Sequence, residues 1–278
     1  MKNIAIILAA GKGKRMKTMK PKQFLSIGGE PMLTKSLQVF EKSPVIDEII
    51  VVIDEKHKDE CKRIVKNSFH KVKSIVIGGR ERYDSVYAGL KACKNCRYVF
   101  IHDSARPYVD QDIINRAYEA VKVFPACAVG MPAKDTVKIV NKDGYVLQTP
   151  PRDRVWIIQT PQVFRYDLIR EAYDIMAERS MKGITDDAMV VEASGISRVR
   201  LVEGSYDNIK ITTPDDLKAE YEAALKAEAD QADAKEAASL PEKEAVRDGK
   251  GDRELRGDKE KDKDKEGKGG KEGKKNKS

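Results

Sequence analysis

Leu8-Ala9-Ala10-Gly11-Lys12-Gly13-Lys14-Arg15-Met16, followed closely by Lys20-Pro21-Lys22-Gln23, is the stretch from which the rest of the chain can be read. Just ahead of it, Asn3 to Leu8 is a short isoleucine-rich run, the pattern of a strand buried on both faces. The turn that follows joins small residues and two glycines, whose backbone N–H groups a ligand can approach, to the cations Lys12, Lys14, Arg15 and Lys22. Access and positive charge together suit a triphosphate. Two familiar phosphate loops do not fit: no Gly-x-x-x-x-Gly-Lys-Ser/Thr run occurs, and the dinucleotide fingerprint would need glycine at Met16. That fingerprint also needs an acid at the next strand end, and Asp54 comes too late. A nicotinamide or flavin cofactor is therefore disfavoured.

Outward from this loop, strand-like and helix-like segments alternate. The periodicity predicts helix over Pro31 to Glu41, strand over Glu48 to Ile53, helix over Lys56 to Ser68 and strand over Lys73 to Ile77. Helix over Arg82 to Lys91, strand over Tyr98 to His102, helix over Asp110 to Phe124 and strand over Ala126 to Val129 follow. In the last of these helices Asp110 is the expected cap, and Ile113, Ile114, Ala117, Val121 and Phe124 are expected to face inward. Such alternation implies βαβ crossovers and an α/β fold with a mostly parallel sheet, covered by helices on both faces. The pattern then breaks at Thr136 to Val140 and Tyr145 to Gln148, which flank Asn141-Lys142-Asp143-Gly144 and read as a hairpin. Helices are expected again over Arg165 to Arg179 and Asp186 to Ala193, late strands over Arg198 to Val202 and Ile209 to Ile211, and a last helix from Asp215.

The chain of 278 residues carries a formal charge of +8, but 14 basic and 11 acidic residues crowd into Pro241 to Ser278. That tail has no aromatic side chain and almost nothing apolar to bury, so it is expected to remain disordered. Its alternating signs, as in Lys259-Glu260-Lys261-Asp262, make a poor nucleic-acid surface. No apolar run is long enough to span a membrane and no signal peptide is evident, so a cytoplasmic chain is expected. Cys61, Cys93, Cys96 and Cys127 fit that compartment as reduced thiols. Cys93 and Cys96 have CxxC spacing, yet no second pair or nearby histidine completes a zinc site.

In open parallel sheets ligands sit at the carboxyl ends of the strands, and several polar signals fall there. The first strand leads into the basic loop, the third into Gly78-Gly79-Arg80 with Ser85 beyond, and the fourth into Asp103 and Arg106; Lys210 lies on an expected late strand. Asp103 is either a carboxylate for a Mg²⁺ that keeps most of its waters or a holder of acceptor hydroxyls; it could also simply pair with Arg106. His102 reads as packed rather than catalytic, since no nucleophile accompanies it. Lys22, Arg106, Arg154 and Lys210 make the pattern rich in cations and poor in bases, which suits displacement at phosphorus.

Seven blocks in order now resemble one family. They are Leu8 to Met16 with Pro21-Lys22-Gln23, His102 to Pro107, Asp135-Thr136, Asp153-Arg154, Gln159-Thr160-Pro161-Gln162, Thr185-Asp186-Asp187-Ala188 and Asp207-Asn208-Ile209-Lys210. Their spacing is similar to that of 2-C-methyl-D-erythritol 4-phosphate cytidylyltransferases, over about residues 1 to 225. The resemblance implies a Rossmann-like, nucleotidyltransferase-type sheet spanning a domain of residues 1–228, with a β-arm at about 134–155 and the charged tail 229–278 outside it. It implies CTP and 2-C-methyl-D-erythritol 4-phosphate as substrates, Mg²⁺ as cofactor, and a homodimer embracing through the arm; neither membrane nor nucleic acid is an expected partner. By resemblance, Ala9, Ala10, Gly11, Gly13, Gly79 and Ser85 surround the nucleotide. Arg15, Lys22, Arg154 and Lys210 act on its phosphates and on the acceptor's, while Asp103, Arg106, Thr136 and Thr160 hold the acceptor. Arg80 departs from members with an acid at that point. A ribitol-5-phosphate cytidylyltransferase is the near alternative, and a non-catalytic RNA- or anion-binding protein the distant one.

Overall fold

The computed structural model describes residues 1–11, 13, 16, 21–66, 68–179 and 181–218. Lys12, Lys14, Arg15, the part of the expected last helix beyond 218 and the tail 229–278 lie outside the described residues. Strand β1 (Lys2–Ala9) leads past the basic loop and a 3-10 turn, Lys22–Phe24, to a small ribbon of β2 (Ser26–Ile27) and β3 (Glu30–Pro31) and then to α1 (Met32–Lys42). The alternation continues with β4 (Glu48–Ile53), α2 (Lys58–Val65), β5 (Val72–Ile77), α3 (Arg82–Ala92), β6 (Cys96–Asp103), α4 (Gln111–Val123) and β7 (Ala126–Pro132). After it come β8 (Ile139–Val140), β9 (Val146–Gln148), β10 (Trp156–Arg165), α5 (Tyr166–Arg179), α6 (Asp187–Ser194) and β11 (Arg200–Glu203).

Seven strands form one sheet in the order β11-β7-β10-β6-β1-β4-β5. Only β10 runs antiparallel to its neighbours, β6 and β7; the other pairings are parallel. Side chains of a strand point alternately to its two faces, so the continuous apolar runs of β1 and β4 fill two cores. Ala5, Ile7, Ala9, Ile49, Val51 and Ile53 meet α1 and α4 through Leu37, Phe40, Ile113 and Ala117. Ile4, Ile6, Ile50 and Val52 meet α3, α5 and α6 through Val86, Leu90, Ala172 and Val191. The sheet is covered on both faces, as the alternation predicts. No helix among the described residues is long and apolar enough to cross a membrane.

Local signals account for several boundaries. Asp110 caps α4 by accepting from the Ile113 amide at 2.7 Å. The Asp54 carboxylate accepts from the Lys56 amide at 2.9 Å and closes a 3-10 turn, so α2 begins only at Lys58 and ends at Val65, short of Ser68. Asn141 shapes the hairpin: its Oδ1 accepts from the amides of Asp143 and Tyr145, and Gly144 adopts φ +85°. Three expectations are corrected. Phe124 is 41% exposed, its ring under the Arg200 guanidinium rather than in the core. Ile209 to Ile211 is not a strand; the Ile211 amide donates to the carbonyl of Ala105, in the turn after β6. Finally β10, ten residues long and inside the sheet, occupies a segment with no expected strand.

Candidate active site

β1 is followed by β4 and β5 on one side, and the chain then crosses back so that β6 lies against the other side of β1. The order of the strands reverses here, and the loops that follow the carboxyl ends of β1, β5 and β6 meet at this point. Leu8 of β1 and Asp103 of β6 are register partners here. A cavity of about 550 Å³ opens there. Ala9, Ala10, Gly11 and Gly13 line one wall and Gly79, Arg80, Glu81, Arg82 and Ser85 another, while Lys22, Asp103 and Lys210 bring further charge to it. All six residues expected around a nucleotide border this one space.

The second wall is held by the start of α3. Glu81 and Asp84 form a reciprocal capping box, and Ser85 Oγ accepts from the Gly79 amide at 3.2 Å while donating to the Glu81 carbonyl. A Cβ at Gly79 would stand 2.2 Å from Asp84 Cβ, so the chain passes here only as glycine. Gly13 has φ +58°, in the left-handed region that glycine enters without steric cost. Lys22 reaches across the pocket mouth, its Nζ 3.4 Å from the Ile211 carbonyl.

Asp103 is the centre of charge. Its Oδ1 accepts from Arg82 Nε at 3.1 Å and its Oδ2 from Lys210 Nζ at 2.6 Å. Burial alone would raise the carboxyl pKa, but Arg82 and then Lys210 hold it well below the usual carboxylate range. Arg82 in turn grips the wholly buried Asp187 with both terminal nitrogens, at 3.0 and 2.8 Å. Tyr173 donates to the same carboxylate at 2.7 Å. Burial works against the Arg82 charge, and Asp187 and Asp103 outweigh it, so the guanidinium stays protonated. A fixed chain of alternating charges thus runs from α6 to the pocket.

The remaining expected residues stand elsewhere. Arg106 does not line the cavity and does not pair with Asp103; it donates to the carbonyls of Asn208 at 2.7 Å and Ile158 at 3.2 Å. Thr160 is buried behind Asp103, whose amide its Oγ1 accepts at 3.1 Å. Thr136 and Arg154 are exposed near the base of the hairpin, away from the cavity of their own chain. Arg15 falls outside the described residues. Lys210 reaches the pocket from a segment clamped by Arg106 and by Asn208, whose Nδ2 donates to the Thr160 carbonyl at 2.9 Å. Sequence reasoning missed Arg82 and Asp187 as site residues. One signal was available: a cation in the first turn of a helix opposes the macrodipole and needs a compensating acid.

Among the described residues no three histidine, cysteine or acidic side chains cluster as a metal site. Cys93 and Cys96 are buried free thiols that donate to the carbonyls of Gly89 and Tyr98. The family model for 2-C-methyl-D-erythritol 4-phosphate cytidylyltransferase matches residues 3–227. A protein of that name from Lachnospira eligens is 46% identical over 218 residues, spanning 78% of this chain and 96% of its own. Another, from Clostridium acetobutylicum, is 48% identical over 219 residues, spanning 78% and 95%. The crystal structure of 4-diphosphocytidyl-2C-methyl-D-erythritol synthase from Anaerococcus prevotii superposes with a TM-score of 0.72 at 35% identity, covering 81% of this chain and 96% of the other.

Proposed function

The chain belongs to the 2-C-methyl-D-erythritol 4-phosphate cytidylyltransferase family, and on that premise we propose that it transfers CMP from CTP to 2-C-methyl-D-erythritol 4-phosphate. The observation that carries this reading is a cavity at the carboxyl ends of β1 and β6 where glycine-rich backbone faces Lys22, Arg82 and Lys210. An oxygen of the acceptor phosphate attacks the α-phosphorus of CTP in line. As that P–O bond forms, the bond to the bridging oxygen of the β-phosphate breaks and pyrophosphate leaves with its electron pair. A phosphate monoester has its second pKa near 6, so the nucleophile is already largely a dianion at neutral pH. No proton acceptor is needed.

The barrier is repulsion between two polyanions. Two unit charges about 4 Å apart repel by roughly 4 kcal/mol at an effective dielectric of 20. Lys22, with Arg15, offsets that repulsion on the triphosphate, and Lys210 and Arg154 do so on the acceptor phosphate. Ala9, Ala10, Gly11 and Gly13 let the nucleotide lie against backbone, and Gly79 and Ser85 face its base. Asp103 would hold a Mg²⁺ through water, because each carboxylate oxygen has one cationic partner and keeps a lone pair free. Mg²⁺ held there would supply charge neutralisation on the triphosphate.

The arm supports a homodimer. Ile139, Val140, Tyr145, Val146 and Leu147 are between 46 and 73% exposed on a ribbon of only two strands. A contiguous apolar ribbon of that kind is marginal alone and gains from being covered. A second copy covers it, and Thr136 and Arg154 then serve that copy's pocket. The four buried, free cysteines suit the cytoplasm.

Mixing the purified protein with CTP, Mg²⁺ and one polyol phosphate at a time tests the activity. Pyrophosphate released with 2-C-methyl-D-erythritol 4-phosphate is the expected result. Release with ribitol 5-phosphate alone would transfer the protein to that activity, and release with neither would contradict the proposal.

A further inference from the structure

His102 sits on β6 immediately before Asp103 and has no exposed surface. Its ring packs on Phe40, with centroids 5.0 Å apart, and both nitrogens are engaged. Nε2 lies 3.2 Å from the Arg106 carbonyl and Nδ1 lies 3.0 Å from Thr160 Oγ1. A carbonyl can only accept, so Nε2 carries the hydrogen; in a neutral ring Nδ1 is then an acceptor, and the Thr160 hydroxyl donates to it. Burial keeps the ring neutral, pushing its pKa from 6.5 down to about 4. The threonine oxygen accepts the Asp103 amide on its other side.

These bonds close on one turn. Asp103 to Arg106 is a four-residue turn with the Arg106 amide donating to the Asp103 carbonyl at 2.9 Å. His102 braces its far end directly, through the Arg106 carbonyl, and its near end through Thr160, on the Asp103 amide. The turn carries the carboxylate between Arg82 and Lys210. Its last residue, Arg106, holds the segment bearing Lys210 by way of the Asn208 carbonyl. We propose that His102 is a positioning residue, with Thr160 its relay, that fixes Asp103 and Lys210 at the place where the acceptor phosphate meets the nucleotide. Thr160 acts from behind the pocket, with both sides of its hydroxyl occupied. The inference rests on the transferase reading for its kinetic consequence, while the bracing itself does not depend on it.

Four proteins test it: wild type, His102→Phe, Thr160→Val and the double variant, with His102→Asn as a fifth that keeps an acceptor near Nδ1. Hydrogen exchange at the Asp103 amide is expected to quicken about tenfold in each single variant, the size for one buried hydrogen bond lost. kcat/KM for the acceptor is expected to fall by about the same factor. The double variant is expected to lose little more than either single one, because the two residues act as a unit, and His102→Asn is expected to recover most of the loss. If His102→Phe does not fold, Thr160→Val against His102→Asn gives the same comparison. Unchanged exchange at Asp103 would overturn the proposal even in a protein with no transferase activity. With an active wild type, losses that multiply, or a lowered Tm with kcat/KM intact, would reduce His102 to a packing role.

Discussion

Acid is the perturbation that isolates His102. The ring ordinarily takes up a proton near pH 6.5, and in the folded protein only near 4. Between those values the unfolded chain binds a proton that the folded chain excludes, so stability rises with pH across that window. The contribution is complete above about pH 6.5 and is lost as the pH falls toward 4. At one pKa unit to about 1.4 kcal/mol, the full span is about 3 kcal/mol, of which about 2 kcal/mol falls between pH 7 and pH 5. Asp103 acts in a separate window: its depressed carboxyl stabilises the fold above its ordinary 3.8, and that contribution is lost only as the pH falls below it. Urea unfolding of wild type and His102→Asn at one protein concentration, from pH 7 to pH 5, measures the difference. The variant is expected to lose about 2 kcal/mol less than wild type over that range. Because the comparison cancels the two other histidines, parallel pH profiles for the two proteins would refute the reasoning.

Three further outcomes are expected. Lys22→Ala lowers turnover by about 10² to 10³, the scale for losing one preorganised charge-stabilising donor; pyrophosphate release by the folded variant measures it, and turnover within a few-fold of wild type would remove Lys22 from the mechanism. Lys210→Ala deprives Asp103 of its 2.6 Å partner and lowers kcat/KM for the polyol phosphate more than it changes CTP binding, which kinetics with each substrate varied in turn resolve. Gly79→Ala forces a Cβ to within 2.2 Å of Asp84 Cβ, breaks the capping box of α3 and weakens CTP binding; calorimetric titration showing wild-type affinity would contradict that.

The alternating half of the molecule was legible because its strands are buried on both faces and therefore read as uninterrupted apolar runs. β10 was not, because Gln159-Thr160-Pro161-Gln162 interrupts it with polar groups and a proline. The structure absorbs that interruption as a register shift against β7 between Ile158 and Gln162, the place where a sheet tolerates proline. Its polar residues are spent on bracing: Gln162 Oε1 accepts from the amides of Asp187 and Ala188, and Gln159 Nε2 donates to the Ser205 carbonyl. Ile209 to Ile211 misled in the opposite sense: its alternating isoleucines read as a strand, yet the Ile211 amide bonds to Ala105, in the turn that follows β6.

The wall-forming glycines, Lys22, Asp103 and Lys210 were legible as a group because they leave the carboxyl ends of strands or return to them. Arg106 and Thr160 belong to the same sequence blocks, but a block gives residue types and spacing, not the direction in which a side chain points. Both turn away from the cavity and tie its rim together. Arg82 was passed over because it opens a helix, and only the fold reveals that Asp187, more than 100 residues later, is its counter-charge.

The central claim is that nucleotide and acceptor meet at the carboxyl ends of β1 and β6, against glycine backbone and lysine side chains. A crystal structure of the protein with CTP tests it most directly. The account predicts the triphosphate beside Gly11 and Gly13 with Lys22 against it and the base toward Gly79 and Ser85; a nucleotide bound anywhere else on the chain would contradict it.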